Sequence, residues 1–216
     1  MTKTTFVATV LFMTAAVSSA QAQDASGNAE QGKTKAAMCI GCHGIEGYKA
    51  SFPEVYQVPM ISGQSAKYIS AALTGYRKGE RKHPTMRGIA GSLSDADIAD
   101  LAAFYAAQVK PSSAAAPAPA PAVAELLKKG NCASCHGEGL NKPIDPAYPK
   151  LAGQHADYVF AALKAYKTTN NANVGRANAI MGGMAAPFSN AELKQLAGYI
   201  ASLPGELAVV PNPKFR

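Results

Sequence analysis

The chain has 216 residues, 16% of them charged and 48% hydrophobic, and its 21 Lys and Arg against 14 Asp and Glu give a net charge of +7. No run of Lys and Arg is interleaved with aromatics, which excludes a nucleic-acid partner. No apolar run beyond the N-terminus is long enough to span a bilayer, so the mature protein is expected to be soluble.

Residues 1–22 read as a secretory signal peptide. Lys3 forms the charged n-region, Phe6 to Val17 is a short apolar core, and Ala20-Gln21-Ala22 is a cleavage site that makes Gln23 the expected mature start. The expected location is the periplasm. Loss of Lys3 leaves 20 basic and 14 acidic residues.

The first mature unit is read as residues 23–110. A helix predicted over Asn28 to Met38 runs into Cys39-Ile40-Gly41-Cys42-His43. Cys-x-x-Cys-His is the attachment signature of a c-type haem. Two thiols form thioethers to the porphyrin, and the adjacent His takes the iron from one side. A redox disulfide would need a βαβ pattern around it, and a four-thiolate zinc site would not require a His after each pair. Further on, Tyr68, Ile69, Ala72, Leu73 and Tyr76 recur at helical spacing. Ser94-Asp95-Ala96-Asp97 caps a last helix whose apolar face is Ile98, Leu101, Phe104 and Tyr105.

Residues 111–121, Pro-Ser-Ser-Ala-Ala-Ala-Pro-Ala-Pro-Ala-Pro, have the composition of an extended linker. Residues 122–216 form a second unit with the same parts. A helix over Val123 to Asn131 leads into Cys132-Ala133-Ser134-Cys135-His136, so the two motifs use all four cysteines. Tyr158, Val159, Ala162, Leu163 and Tyr166 repeat the middle helix, and Ser189-Asn190-Ala191-Glu192 caps the last one. No strand pattern is visible. Units of about 90 residues are small for an apolar core standing alone. Two covalently held haems would fill them, and would add four propionates.

The duplication can be aligned residue by residue. Pro59-Met60-Ile61-Ser62-Gly63-Gln64 matches Pro149-Lys150-Leu151-Ala152-Gly153-Gln154 at an offset of 90, while Ser94 and Ser189 match at 95. The second copy therefore holds five extra residues somewhere between Tyr166 and Ser189. A neutral sulfur ligand opposite His raises the reduction potential. Met60 aligns with Lys150 and cannot be a duplicated ligand. Met86 and Met181 each lie eight residues before a capping serine, and that shared register selects them. Met184 aligns with Ile89 and stays open as the alternative in the second copy. His83 and His155 are not duplicated and read as surface histidines, with a His83 ligand at the first haem as the minor alternative.

These motifs, the duplicated Pro-x-[Ile/Leu]-x-Gly-Gln and the stretch from Gly79 to Met86 resemble the di-haem class I cytochromes c of the c4 type, over about residues 25 to 205. The resemblance implies an all-α fold of two tandem class I cytochrome c domains, related by a pseudo-twofold axis with haem edges near the interface. It implies two covalently bound haem c, with His43 and Met86 on one iron and His136 and Met181 on the other. It also implies that the carbonyls of Pro59 and Pro149 orient the proximal histidines.

The function expected is that of a periplasmic electron carrier. It would take electrons from a quinol-oxidising complex or another cytochrome and pass them toward a terminal oxidase, docking at membrane complexes while itself soluble. The alternative is the haem subunit of a flavocytochrome c sulfide dehydrogenase or a similar complex. An enzyme in its own right would need an open iron position, and a methionine is available to both haems. Residues 111–216 carry 10 basic and 6 acidic side chains against 10 and 8 in 23–110. The second unit is therefore expected to dock the more acidic partner, through lysines such as Lys142, Lys150 and Lys164.

Overall fold

The structure, a computed structural model, describes residues 27–211. The signal peptide and the expected start at Gln23 lie outside them. Helices dominate. The first half contains α1 (Ala29–Lys35), α2 (Ala37–His43), α3 (Ala66–Lys78), α4 (Pro84–Gly91) and α5 (Asp95–Ala106). The second repeats them as α6 (Pro121–Gly130), α7 (Ala133–His136), α8 (Ala156–Lys167), α9 (Ala179–Ala185) and α10 (Asn190–Ser202).

Local chemistry sets these bounds. Asn28 starts α1 by accepting hydrogen bonds from the amides of Glu30 and Gln31, at 2.9 and 3.1 Å. The single helix expected through Met38 is instead two. Ala36, wholly buried, has ψ of −2° and separates α1 from α2, so the whole haem motif lies on α2. Helix α6 begins at Pro121, one residue inside the segment read as linker, because proline is favourable at the first helical position. Both serine caps form complete capping boxes, Ser94 with Asp97 and Ser189 with Glu192.

In the first half α1 lies across α5. A Cβ on Gly32 would fall 2.1 Å from the carbonyl oxygen of Asp100, so only glycine permits that approach. The core beneath is small: Ala36, Ile69, Leu101, Ala102 and Tyr105, with Cys39 and Ile40 packed against it. The second half buries Leu140, Ala152, Val159, Ala197, Ile200 and Leu203, with Cys132 at the border. Cysteines at the edge of such modest cores are where a large apolar prosthetic group would continue the packing.

Among the described residues, four two-residue strands escape any sequence pattern, since two residues are too few to show alternation. β1 (Lys49–Ala50) pairs with β2 (Tyr56–Gln57) inside the first half. β3 (Arg81–Lys82) pairs with β4 (Gly175–Arg176) between the halves, Arg81 opposite Arg176. The extra residues of the second copy fall in the loop between α8 and β4. That loop leans on the first half, where the Lys82 ammonium donates to the Asn171 carbonyl at 2.7 Å.

Lys35 clamps α1 to α5 through Asp97 at 2.8 Å and Asp100 at 2.6 Å. These bonds hold both carboxyls below their ordinary range. A depressed folded-state pKa stabilises above the unfolded value and is lost as pH falls through the folded one. Thermal midpoints should therefore fall as pH drops below about 4. Lys35→Ala should flatten that acid limb for the first half, and an unchanged limb would contradict this role for the clamp.

Candidate functional site

Cys39 and Cys42 stand three residues apart on α2, so their half-buried thiols emerge within one turn, and all four cysteines are free of disulfides. His43 ends that helix. Its Nδ1 lies 2.8 Å from the Pro59 carbonyl oxygen, and His136 Nδ1 lies 2.9 Å from that of Pro149. A carbonyl can only accept, so Nδ1 carries the proton in both rings and Nε2 presents a lone pair. Burial lowers both pKa values while the proline carbonyls oppose the shift. Each histidine is thus held neutral, in one tautomer and one orientation, as a metal ligand needs.

The methionine loops are built alike. Met86 and Met181 are each the third residue of a short helix, α4 and α9, and both are half-buried. The Met86 amide donates to His83 Nδ1 at 3.3 Å, and the Met181 amide donates to Asn178 Oδ1 at 2.9 Å. His83 is therefore a half-buried helix cap and not a bare surface histidine. The matching Asn178, a residue type favoured at caps, was the signal for it. Met184 is 38% exposed, one turn further along α9. Met60 belongs to the domain contact, its backbone bonded to Gln154.

A feature absent from the sequence reading lies at β3–β4. Arg81 donates to the hydroxyls of Tyr68 and Tyr76, each at 3.2 Å, and reaches Tyr158 at 3.5 Å. Arg176 donates to Tyr158 at 3.0 Å and Tyr166 at 3.5 Å. Tyr158 thus bridges two half-buried guanidiniums, which push its pKa down to about 8 against the upward pull of burial. Among the described residues no carboxylate pairs with either arginine, and the Arg81 Nε is buried without a partner. Uncompensated buried charge is costly.

These observations fit haem c. Paired free thiols, a neutral His with its Nε2 available, a methionine in each half and guanidiniums without a carboxylate partner match a porphyrin that brings iron and carboxylates. Among the described residues no cluster of three or more His, Cys, Asp or Glu could hold a metal ion, so the two cysteine pairs do not converge into a zinc site. Two of the lysines expected to dock a partner are engaged elsewhere. Lys150 bonds Glu206 at 2.5 Å and the Gly63 carbonyl at 2.9 Å, and Lys164 bonds Glu54 at 2.7 Å. Lys142 is exposed over most of its side chain.

The family model described as Cytochrome c matches twice, at residues 29–106 and 120–204. Cytochrome c4 from Azotobacter vinelandii is 35% identical over 199 residues, covering 83% of this chain and 90% of the relative. A thiosulfate dehydrogenase electron acceptor from Stutzerimonas stutzeri is 32% identical, covering 86% of this chain and 89% of the relative. The crystal structure of reduced cytochrome c4 from Pseudomonas stutzeri superposes with a TM-score of 0.61 at 30% identity, covering 82% of this chain and 99% of that one. With two attachment motifs, two matching domains and relatives spanned almost end to end, the chain belongs to the cytochrome c4 family of electron-transfer cytochromes and carries two covalently bound haem c.

Proposed function

We propose that this protein is an exported shuttle that takes electrons from a quinol-oxidising complex or another cytochrome and delivers them toward a terminal oxidase. The observation that carries the reading is the duplicated pair of ligand arms. Each half offers a proximal histidine pinned through Nδ1 and a methionine at the same helical register. Bound haem supplies a one-electron ferric/ferrous couple. Cys39 and Cys42 anchor one group and Cys132 and Cys135 the other. His43 with Met86, and His136 with Met181, would hold the two irons and leave no position for a substrate. Arg81 and Arg176, which pair with no carboxylate among the described residues, would neutralise haem carboxylates. Electrons would then pass during brief protein contacts.

Two relatives are named thiosulfate dehydrogenase electron acceptors, which supports a second reading: the direct acceptor of a dehydrogenase. Export is expected from Lys3, the apolar core and Ala20-Gln21-Ala22. No helix among the described residues is long and apolar enough to cross a membrane.

Both readings predict reduction and oxidation rates that fall as ionic strength rises, since screening shortens the reach of the attraction. Lys142→Glu should slow reaction with an acidic partner several-fold. Stopped-flow rates against salt test this. Rates independent of salt with every partner would contradict the shuttle. A dehydrogenase that co-purifies and reduces the protein in preference to quinol-oxidising complexes would favour the second reading.

A further inference from the structure

The Gln64 and Gln154 side chains, 4% and 5% exposed, cross the contact between the domains in opposite directions. Gln154 Oε1 accepts from the Met60 amide at 3.0 Å, and its Nε2 donates to the Met60 carbonyl at 2.9 Å. Gln64 does the same to Lys150, at 2.9 and 3.0 Å. Each Oε1 also accepts from the next residue of its own chain segment, Ser65 or His155, at 3.1 Å. Because N–H groups only donate, these partners fix which end of each amide is oxygen.

The Met60 N–H and the Pro59 carbonyl belong to one peptide group. That carbonyl accepts from His43 Nδ1, so a continuous chain runs from the His43 ring through the Pro59–Met60 peptide to Gln154 of the other domain. His136, the Pro149–Lys150 peptide and Gln64 form its mirror image.

We infer that Gln64 and Gln154 are positioning residues for the proximal histidine of the opposite domain. An acceptor on the peptide N–H draws electron density through the planar amide to its carbonyl oxygen. The carbonyl then pulls harder on the imidazole Nδ1–H, and a more electron-rich imidazole favours ferric iron. Each haem's potential is thereby held down by a side chain of its neighbour. The inference rests on His43 and His136 binding iron.

The test uses holoprotein carrying Gln154→Leu or Gln64→Leu, with each haem's potential resolved by NMR during redox titration. Gln154→Leu should raise the potential of the haem held by Cys39 and Cys42, by about two- to fivefold in its one-electron equilibrium constant, or about 20–40 mV. It should also move the His43 resonances and spare the other haem. Gln64→Leu should give the reverse. A shift in the variant's own domain, an equal shift at both haems, or none, overturns the inference, since simple loosening of the contact produces no crossed pattern. Should leucine prevent folding, Gln→Asn is one methylene too short to span and is read the same way. Spectra of the unaltered protein report the ligands, so a wrong histidine assignment shows before any variant is made and overturns the inference with it.

Discussion

Met86→Ala and Met181→Ala should each remove about half of the near-infrared methionine–iron charge-transfer band and lower one of the two potentials by on the order of 100 mV, within the wide range that axial ligands set. The two methionines hold equivalent places, third in a capped short helix, so each loss should leave the other half's signal unchanged. Met60→Ala should not touch the band, because that residue contributes its backbone to the domain contact. Met184 is exposed one turn beyond Met181, and Met184→Ala should also leave the band intact. If Met184→Ala removes it and Met181→Ala does not, the alignment of the two loops is wrong.

Replacing both Cys39 and Cys42 by alanine should have the largest effect on integrity. Denaturing mass spectrometry should find one haem on the variant where the unaltered chain carries two. The first half should then lose most of its stability, because its buried apolar set is small: Ala36, Ile69, Ala90, Ile98, Leu101, Ala102 and Tyr105. A core of that size cannot offset the entropy of ordering some 80 residues without the porphyrin beside it. Selective loss of helical signal and of one Soret contribution, with the Cys132 and Cys135 haem retained, is the expected outcome. Full retention of both haems would falsify the attachment assignment.

The parts visible in the sequence were those that repeat with a fixed spacing. Two Cys-x-x-Cys-His motifs and two serine caps point to two cytochrome c domains, because covalent chemistry and capping are local. What crosses between halves stayed hidden. The glutamines Gln64 and Gln154 were evident as a repeat, yet their contacts join residues 86 and 94 positions apart. Arg81 and Arg176 also repeat, at the offset of 95, but their meaning depends on four tyrosines from two helices. The break at Ala36 is not legible in the sequence, because Ala carries no helix-ending signal.

The linker has a consequence for how the two halves stay together. Residues 111–120 have no regular structure and all but Pro119 are exposed, with Tyr199 donating to the Pro117 carbonyl at 3.3 Å. The halves meet elsewhere, through Glu54 and Lys164, Lys67 and Asp145, the β3–β4 pair, and a C-terminal segment whose Ala208 bridges back to Ser62. Connection along the chain and association in space are thus carried by different residues. A protease that cut between Ser113 and Ala120 would change the topology from one chain to two while leaving every one of these contacts in place. Evolution could likewise lengthen, shorten or rewrite this stretch without retuning the haems, so its alanines and prolines record little more than the gap they have to span.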